Sequence, residues 1–90
     1  MQLESLPSRS DHVVARRGAD AVTVLLDTSS GEYYALDDVG GRIWELCDGS
    51  QSVTDIATAL AAEYDAPLDQ IRADVVELLD DLAADGLVGA

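Results

Sequence analysis

Gly31-Glu32-Tyr33-Tyr34-Ala35-Leu36-Asp37 is the stretch from which the fold can be read outward. It is short, aromatic and bounded by turn signals. Thr28-Ser29-Ser30-Gly31 before it carries the residue types that favour a reversal. Asp37-Asp38 after it supplies carboxylates suited to capping a helix N-terminus. The combination predicts a strand that leaves a hairpin and runs directly into a helix. Period-two alternation puts Tyr34 and Leu36 on one face, and Tyr33 and Ala35 on the other. Such a strand can end at the edge of its sheet, where unpaired N–H and C=O groups form a template for an added peptide strand.

Upstream, Met1 to Asp11 is polar, contains Pro7 and has no period, which predicts a flexible N-terminal arm over residues 1–11 and a domain over residues 12–90. Val13-Val14-Ala15-Arg16 reads as a first strand and Gly18-Ala19-Asp20 as a turn. Ala21-Val22-Thr23-Val24-Leu25-Leu26-Asp27, rich in β-branched and apolar residues, reads as a second strand. The expected sheet is a three-stranded antiparallel meander with Tyr33–Leu36 at one edge.

Downstream, the period changes to that of a helix. Val39, Ile43, Trp44, Leu46 and Cys47 share a helical face, with Gly49 placed to end the helix. Gly40 and Gly41 each lower helix propensity by about 1 kcal/mol relative to alanine, so close backbone approach to the sheet is the reason expected for them. Ser52 and Asp55 have the spacing of a capping box ahead of Val53, Ile56, Ala57, Leu60, Ala61 and Tyr64. Pro67 suits the start of a third helix that Gly86 ends. Strands followed by helices predict an α+β domain with its helices on one face of the sheet.

In helix three, Ile71, Val75, Leu78 and Leu82 fall within about 60° of arc, enough to hold the helix on a core. Leu68, Val76, Leu79 and Ala83 widen the apolar stripe on one side only, with Arg72 among them and Asp80 at the rim. Asp74, Asp81 and Asp85 occupy the other flank. This asymmetry predicts a shallow groove of Val76, Leu79 and Ala83 beside the third strand. Wide stripes also arise simply because a small domain needs core.

Charge separates the possible functions. Eighteen acidic residues against five arginines and no lysine give a net charge of −13. Binding to a nucleic-acid duplex or an anionic membrane is disfavoured by that field. A helix-turn-helix reading of helices two and three fails on the same ground, because the recognition helix would carry six acids and one basic residue, Arg72. Catalysis lacks parts: His12 and Cys47 are the only histidine and cysteine, and no base and orienting partner can be assembled around either. Cys47 reads as a small buried hydrophobe and His12 as a solvated residue at a strand entry. Asp80-Asp81-Asp85 lacks the spacing of a calcium loop. No cofactor or metal is expected. No apolar run approaches a membrane span and the start has no apolar signal core, so the cytoplasm is the expected compartment. Trp44 reads as core. Tyr33 remains open between sheet surface and contact residue, and a generic interaction or scaffold module remains a competing reading.

The ordered set Gly31-Glu32-Tyr33-Tyr34-Ala35-Leu36-Asp37, Gly40-Gly41-Arg42-Ile43-Trp44-Glu45-Leu46, Asp48-Gly49, Ser52 to Tyr64, Asp74-Val75-Val76-Glu77-Leu78-Leu79 with Leu82, and Gly86-Leu87-Val88 resembles the PqqD-like family over about residues 12–88. The resemblance implies a winged helix-turn-helix-like fold and a recognition element for ribosomally synthesised, post-translationally modified peptides. A precursor's leader would add as a strand to the third strand, in the cleft against helix three. Glu32, Tyr33, Tyr34, Ala35 and Leu36 would supply main-chain pairing. Val76, Leu79 and Ala83 would supply apolar pockets, and Arg72 and Asp80 rim charges. Within the family the chain looks most like the stand-alone leader-binding proteins of lasso peptide clusters, whose partners are a leader peptidase and a cyclase. The chaperone that serves a radical SAM enzyme in pyrroloquinoline quinone synthesis is the other relative. Asp37 stands where asparagine is common in the family and Gly41 where a larger residue often sits, which leaves the cluster type open.

Overall fold

A computed structural model describes all of residues 1–90. The elements in chain order are β1 (Ser8–Arg9), β2 (Val13–Arg17), β3 (Thr23–Asp27), β4 (Tyr33–Leu36), α1 (Asp38–Leu46), α2 (Val53–Tyr64), α3 (Leu68–Ala84) and β5 (Val88–Gly89). β2, β3 and β4 form an antiparallel meander in that order, so β4 is an edge. This is the expected α+β arrangement of three antiparallel strands followed by three helices.

Local chemistry explains the boundaries. Asp27 organises the β3–β4 turn: its Oδ1 accepts from the Ser29 N–H (2.9 Å) and the Ser29 hydroxyl (2.6 Å). Gly31 completes the reversal at φ +80°, a conformation open to glycine without strain. Asp37 caps α1, its Oδ1 accepting from the Gly40 N–H at 2.7 Å. Ser52 and Asp55 form the expected reciprocal capping box on α2. Gly86, at φ +74°, turns the chain after α3 and lets Leu87 and Val88 pack into the core.

The core lies between the inner face of the sheet and the helices. Leu25 and Leu36 meet Ile43, Trp44, Val53, Ile56, Leu60, Val75 and Leu79 there. Gly41 permits the close approach of α1 to the sheet. A Cβ at this position would lie 2.4 Å from the Thr23 Oγ1 and 3.1 Å from the Thr23 Cβ.

The N-terminal segment departs from expectation: rather than hanging free, it is laid along the helical layer. β1 pairs with β5, Ser8 opposite Gly89 and Arg9 opposite Val88, and Pro7 is fully buried. The Leu3 and Ser5 carbonyls accept from the N–H groups of Thr54 and Val53, both at 3.0 Å. Those are first-turn donors of α2, which lack partners within their own helix. Backbone pairing of this kind leaves no hydrophobic period, so the sequence pattern does not show it.

Candidate peptide-binding groove

The register fixes which β4 groups are free. The Asp27 N–H donates to the Glu32 carbonyl at 2.9 Å, making those two residues a hydrogen-bonded pair. Antiparallel ladders alternate, so Leu25–Tyr34 and Thr23–Leu36 are the next hydrogen-bonded pairs, while Leu26–Tyr33 and Val24–Ala35 are the open ones. On the other side of β3, the Thr28 N–H bond to the His12 carbonyl (2.8 Å) and the Gly18 N–H bond to the Val22 carbonyl (2.9 Å) have the same phase. The N–H and C=O groups of Tyr33 and Ala35 therefore point away from β3, toward the unoccupied edge.

A groove of about 590 Å³ runs beside that edge. Ala35, Leu36 and Asp37 form one side, Val39, Gly40 and Ile43 of α1 the floor, and Ile71, Asp74 and Leu78 of α3 the far wall. Gly40 keeps the floor low, since a Cβ there would sit 3.3 Å from the Leu36 Cβ and 3.6 Å from Leu78 Cδ2. The lining is mostly apolar. It combines an extended-backbone template with sockets for alternate side chains of an added strand.

Of the five residues expected to supply main-chain pairing, only Tyr33 and Ala35 turn their N–H and C=O groups to the open edge; Glu32, Tyr34 and Leu36 belong to hydrogen-bonded pairs with β3. Tyr34 and Leu36 face inward, and Ala35 and Tyr33, the latter 71% exposed, face outward. The helix-three residues require correction. Leu79 is fully buried in the core. Val76, Ala83 and Arg72 lie on the flank of α3 turned away from Asp74 and Leu78. Arg72 pairs there with Asp69 at 2.6 Å, Asp80 takes the N-terminal ammonium, and Met1 packs on the core. The groove thus opens on the opposite side of the stripe from the one expected. The groove residues missed were Val39, Gly40, Ile43, Ile71, Asp74 and Leu78. Gly40 carried a usable signal, because a glycine in a helix's first turn calls for a nearby neighbour.

The remaining polar and reactive groups are held in place. The Tyr34 hydroxyl donates to Glu32 Oε2 at 3.0 Å. That bond, with partial burial and the charges of Glu32, Asp85 and Asp27, pushes the phenol up to about 12. Cys47 is fully buried, and burial pushes its thiol up to about 12, leaving it a poor nucleophile. His12 Nε2 lies 3.7 Å from Asp27 Oδ1. No helix is long and apolar enough to cross a membrane.

With this geometry in view, the chain's relatives are informative. The PqqA binding protein of Bradyrhizobium diazoefficiens is 41% identical over 54 residues, covering 60% of this chain and 52% of that protein. The chain spans about half the length of the curated relatives it matches. Among solved structures, TbiB1 in complex with the TbiA(beta) leader peptide superposes with a TM-score of 0.81 at 34% identity, over 92% of this chain and 95% of TbiB1. The PqqD truncation of Methylobacterium extorquens PqqCD, a functional and stand-alone recognition element for ribosomally synthesised and modified peptides, superposes at 0.78 with 29% identity, over 93% and 88% of the two chains. The family model for coenzyme PQQ synthesis protein D (PqqD) matches residues 23–88, from the first residue of β3 to the first of β5, and the chain belongs to the PqqD family.

Proposed function

We propose that this protein binds the leader segment of a ribosomally made precursor peptide and presents it to modifying enzymes. The leader adds as a strand along β4, bonding to the main chain of Tyr33 and Ala35, and sinks apolar side chains into the groove between β4, α1 and α3. The observation that carries this reading is the coincidence of an unpaired strand edge with an apolar groove on the same side. The role is non-catalytic: an unfolded segment loses conformational entropy on docking, offset by strand hydrogen bonds and a few apolar anchors.

The likeness to TbiB1, whose structure contains a leader peptide, supports a place in lasso peptide synthesis, with a leader peptidase and a cyclase as downstream partners in the cytoplasm. The matches to PqqA binding proteins support the alternative, a chaperone for a radical SAM enzyme. Isothermal titration of the purified chain with the leader of a precursor encoded beside it tests the proposal. Saturable one-to-one binding, with amide shifts at Tyr33 and Ala35, is the expected result. No binding of any such leader would refute it.

A further inference from the structure

Asp74 is the acid in the groove wall opposite β4, and two further acids continue its line along α3 beyond the groove lining. Asp74, Asp81 and Asp85 lie with Leu78 within about 60° of arc on α3. Asp74 and Leu78 line the groove beside Leu36 and Asp37, while just past the end of α3 the Gly86 carbonyl accepts from the Ser10 hydroxyl, two residues from His12, whose carbonyl accepts from Thr28 in the β3–β4 turn. α3 therefore runs antiparallel to β4, its start beside the end of that strand. From Asp74 to Asp85 the helix rises about 16 Å, the length of about five residues of extended peptide.

These carboxylates have no cationic partner within the chain. Arg17 pairs with Asp38 and Glu45, Arg42 with Glu45 and Glu63, and Arg72 with Asp69. Arg9 donates to the carbonyls of Trp44 and Glu45, and Arg16 stands on β2. Asp81 and Asp85 also sit at the C-terminal end of α3, which has no basic residue in its last turn. There the helix dipole disfavours negative charge, so their placement works against the helix itself. At the hairpin end of β4, Glu32 adds a fourth carboxylate beside Tyr34.

We infer that the groove selects a cationic leader segment of the pattern basic–x–apolar–x–basic. This rests on the leader-binding reading. Groove-facing side chains of an added strand recur every second residue, about 7 Å apart. The central apolar side chain enters between Leu36, Gly40 and Leu78. One flanking cation reaches Asp74, and the other reaches Asp81, Asp85 and Glu32.

The test uses the full chain and three twelve-residue peptides that differ only in a five-residue core: Lys-Thr-Leu-Thr-Lys, Gln-Thr-Leu-Thr-Gln and Glu-Thr-Leu-Thr-Glu. Affinity is followed by backbone amide shifts. At low salt the lysine peptide should bind at least about tenfold more tightly than the glutamate peptide, with the glutamine peptide between. The gap should close as salt is raised. Asp74→Asn with Asp81→Asn should shrink it while leaving the amide-shift pattern, and Asp81→Asn should raise the melting temperature by relieving the helix end. Equal affinities with shifts at Tyr33 and Ala35 would overturn the charge selection and leave strand addition standing. Absence of those shifts with all three peptides would overturn the leader-binding reading as well.

Discussion

Ala35→Pro separates the two sides of β4. The ladder phase sends the Ala35 N–H to the open edge, so a proline there removes no bond to β3, and its fixed φ is tolerated on an edge strand. Folding should be nearly unchanged. Binding should not: the docked leader loses one backbone donor, worth about 0.5–1.5 kcal/mol net, and its facing carbonyl is left short of a partner. Together these amount to about 2 kcal/mol, or about thirtyfold in Kd. Tyr34→Pro is the control. Its N–H belongs to the hydrogen-bonded pair with Leu25, a fully buried residue. Its loss should cost about 1–3 kcal/mol of stability. Thermal denaturation of both variants and calorimetric titration of Ala35→Pro with the leader provide the measurements. If Ala35→Pro binds like the wild type, or melts as early as Tyr34→Pro, the assigned phase is wrong.

Leu78→Asp should fold and bind leader at least about tenfold more weakly, because Leu78 is half-buried in the groove wall; Leu79→Asp should unfold by losing about 3 kcal/mol or more, as an aspartate would enter the core. Circular dichroism and titration distinguish the two. Gly41→Ala should destabilise by about 1–3 kcal/mol through its clash with Thr23, and Thr23→Ala should recover part of this in the double variant, since the Thr23 Oγ1 is a buried group without a partner; urea denaturation measures both. The Asp27 carboxyl is held below its ordinary value of 3.8 chiefly by the Ser29 hydroxyl, aided by the Ser29 and Ser30 N–H groups and His12 against the effect of burial. Its folded value being depressed, its contribution is present above pH 3.8 and is lost as pH falls through the lower folded value. The stability gap between the wild type and Asp27→Asn should therefore be constant near neutrality and close in acid, as read from urea midpoints across that range.

What the sequence determined by itself is what depends on neighbours along the chain. Turn chemistry at Thr28–Gly31, the Asp37 cap, the Ser52–Asp55 box and the alternation of Tyr33 to Leu36 are all set within a few residues and lie where they were read; that Asp27, read as strand, organises the turn came from the structure. The existence of an unpaired sheet edge at Tyr33–Leu36 followed from element order. Only the tertiary structure decided which side of α3 faces that edge. A helical stripe reports which residues leave water, not what they meet, and Leu78 and Leu79, 100° apart, are equally apolar while one lines the groove and the other fills the core. The N-terminal segment escaped for a related reason, because it is held by backbone bonds to α2 and β5 that no side-chain period records. The direction of the Ala35 N–H likewise waited on the register across the β3–β4 turn, a pairing between strands rather than a property of either one.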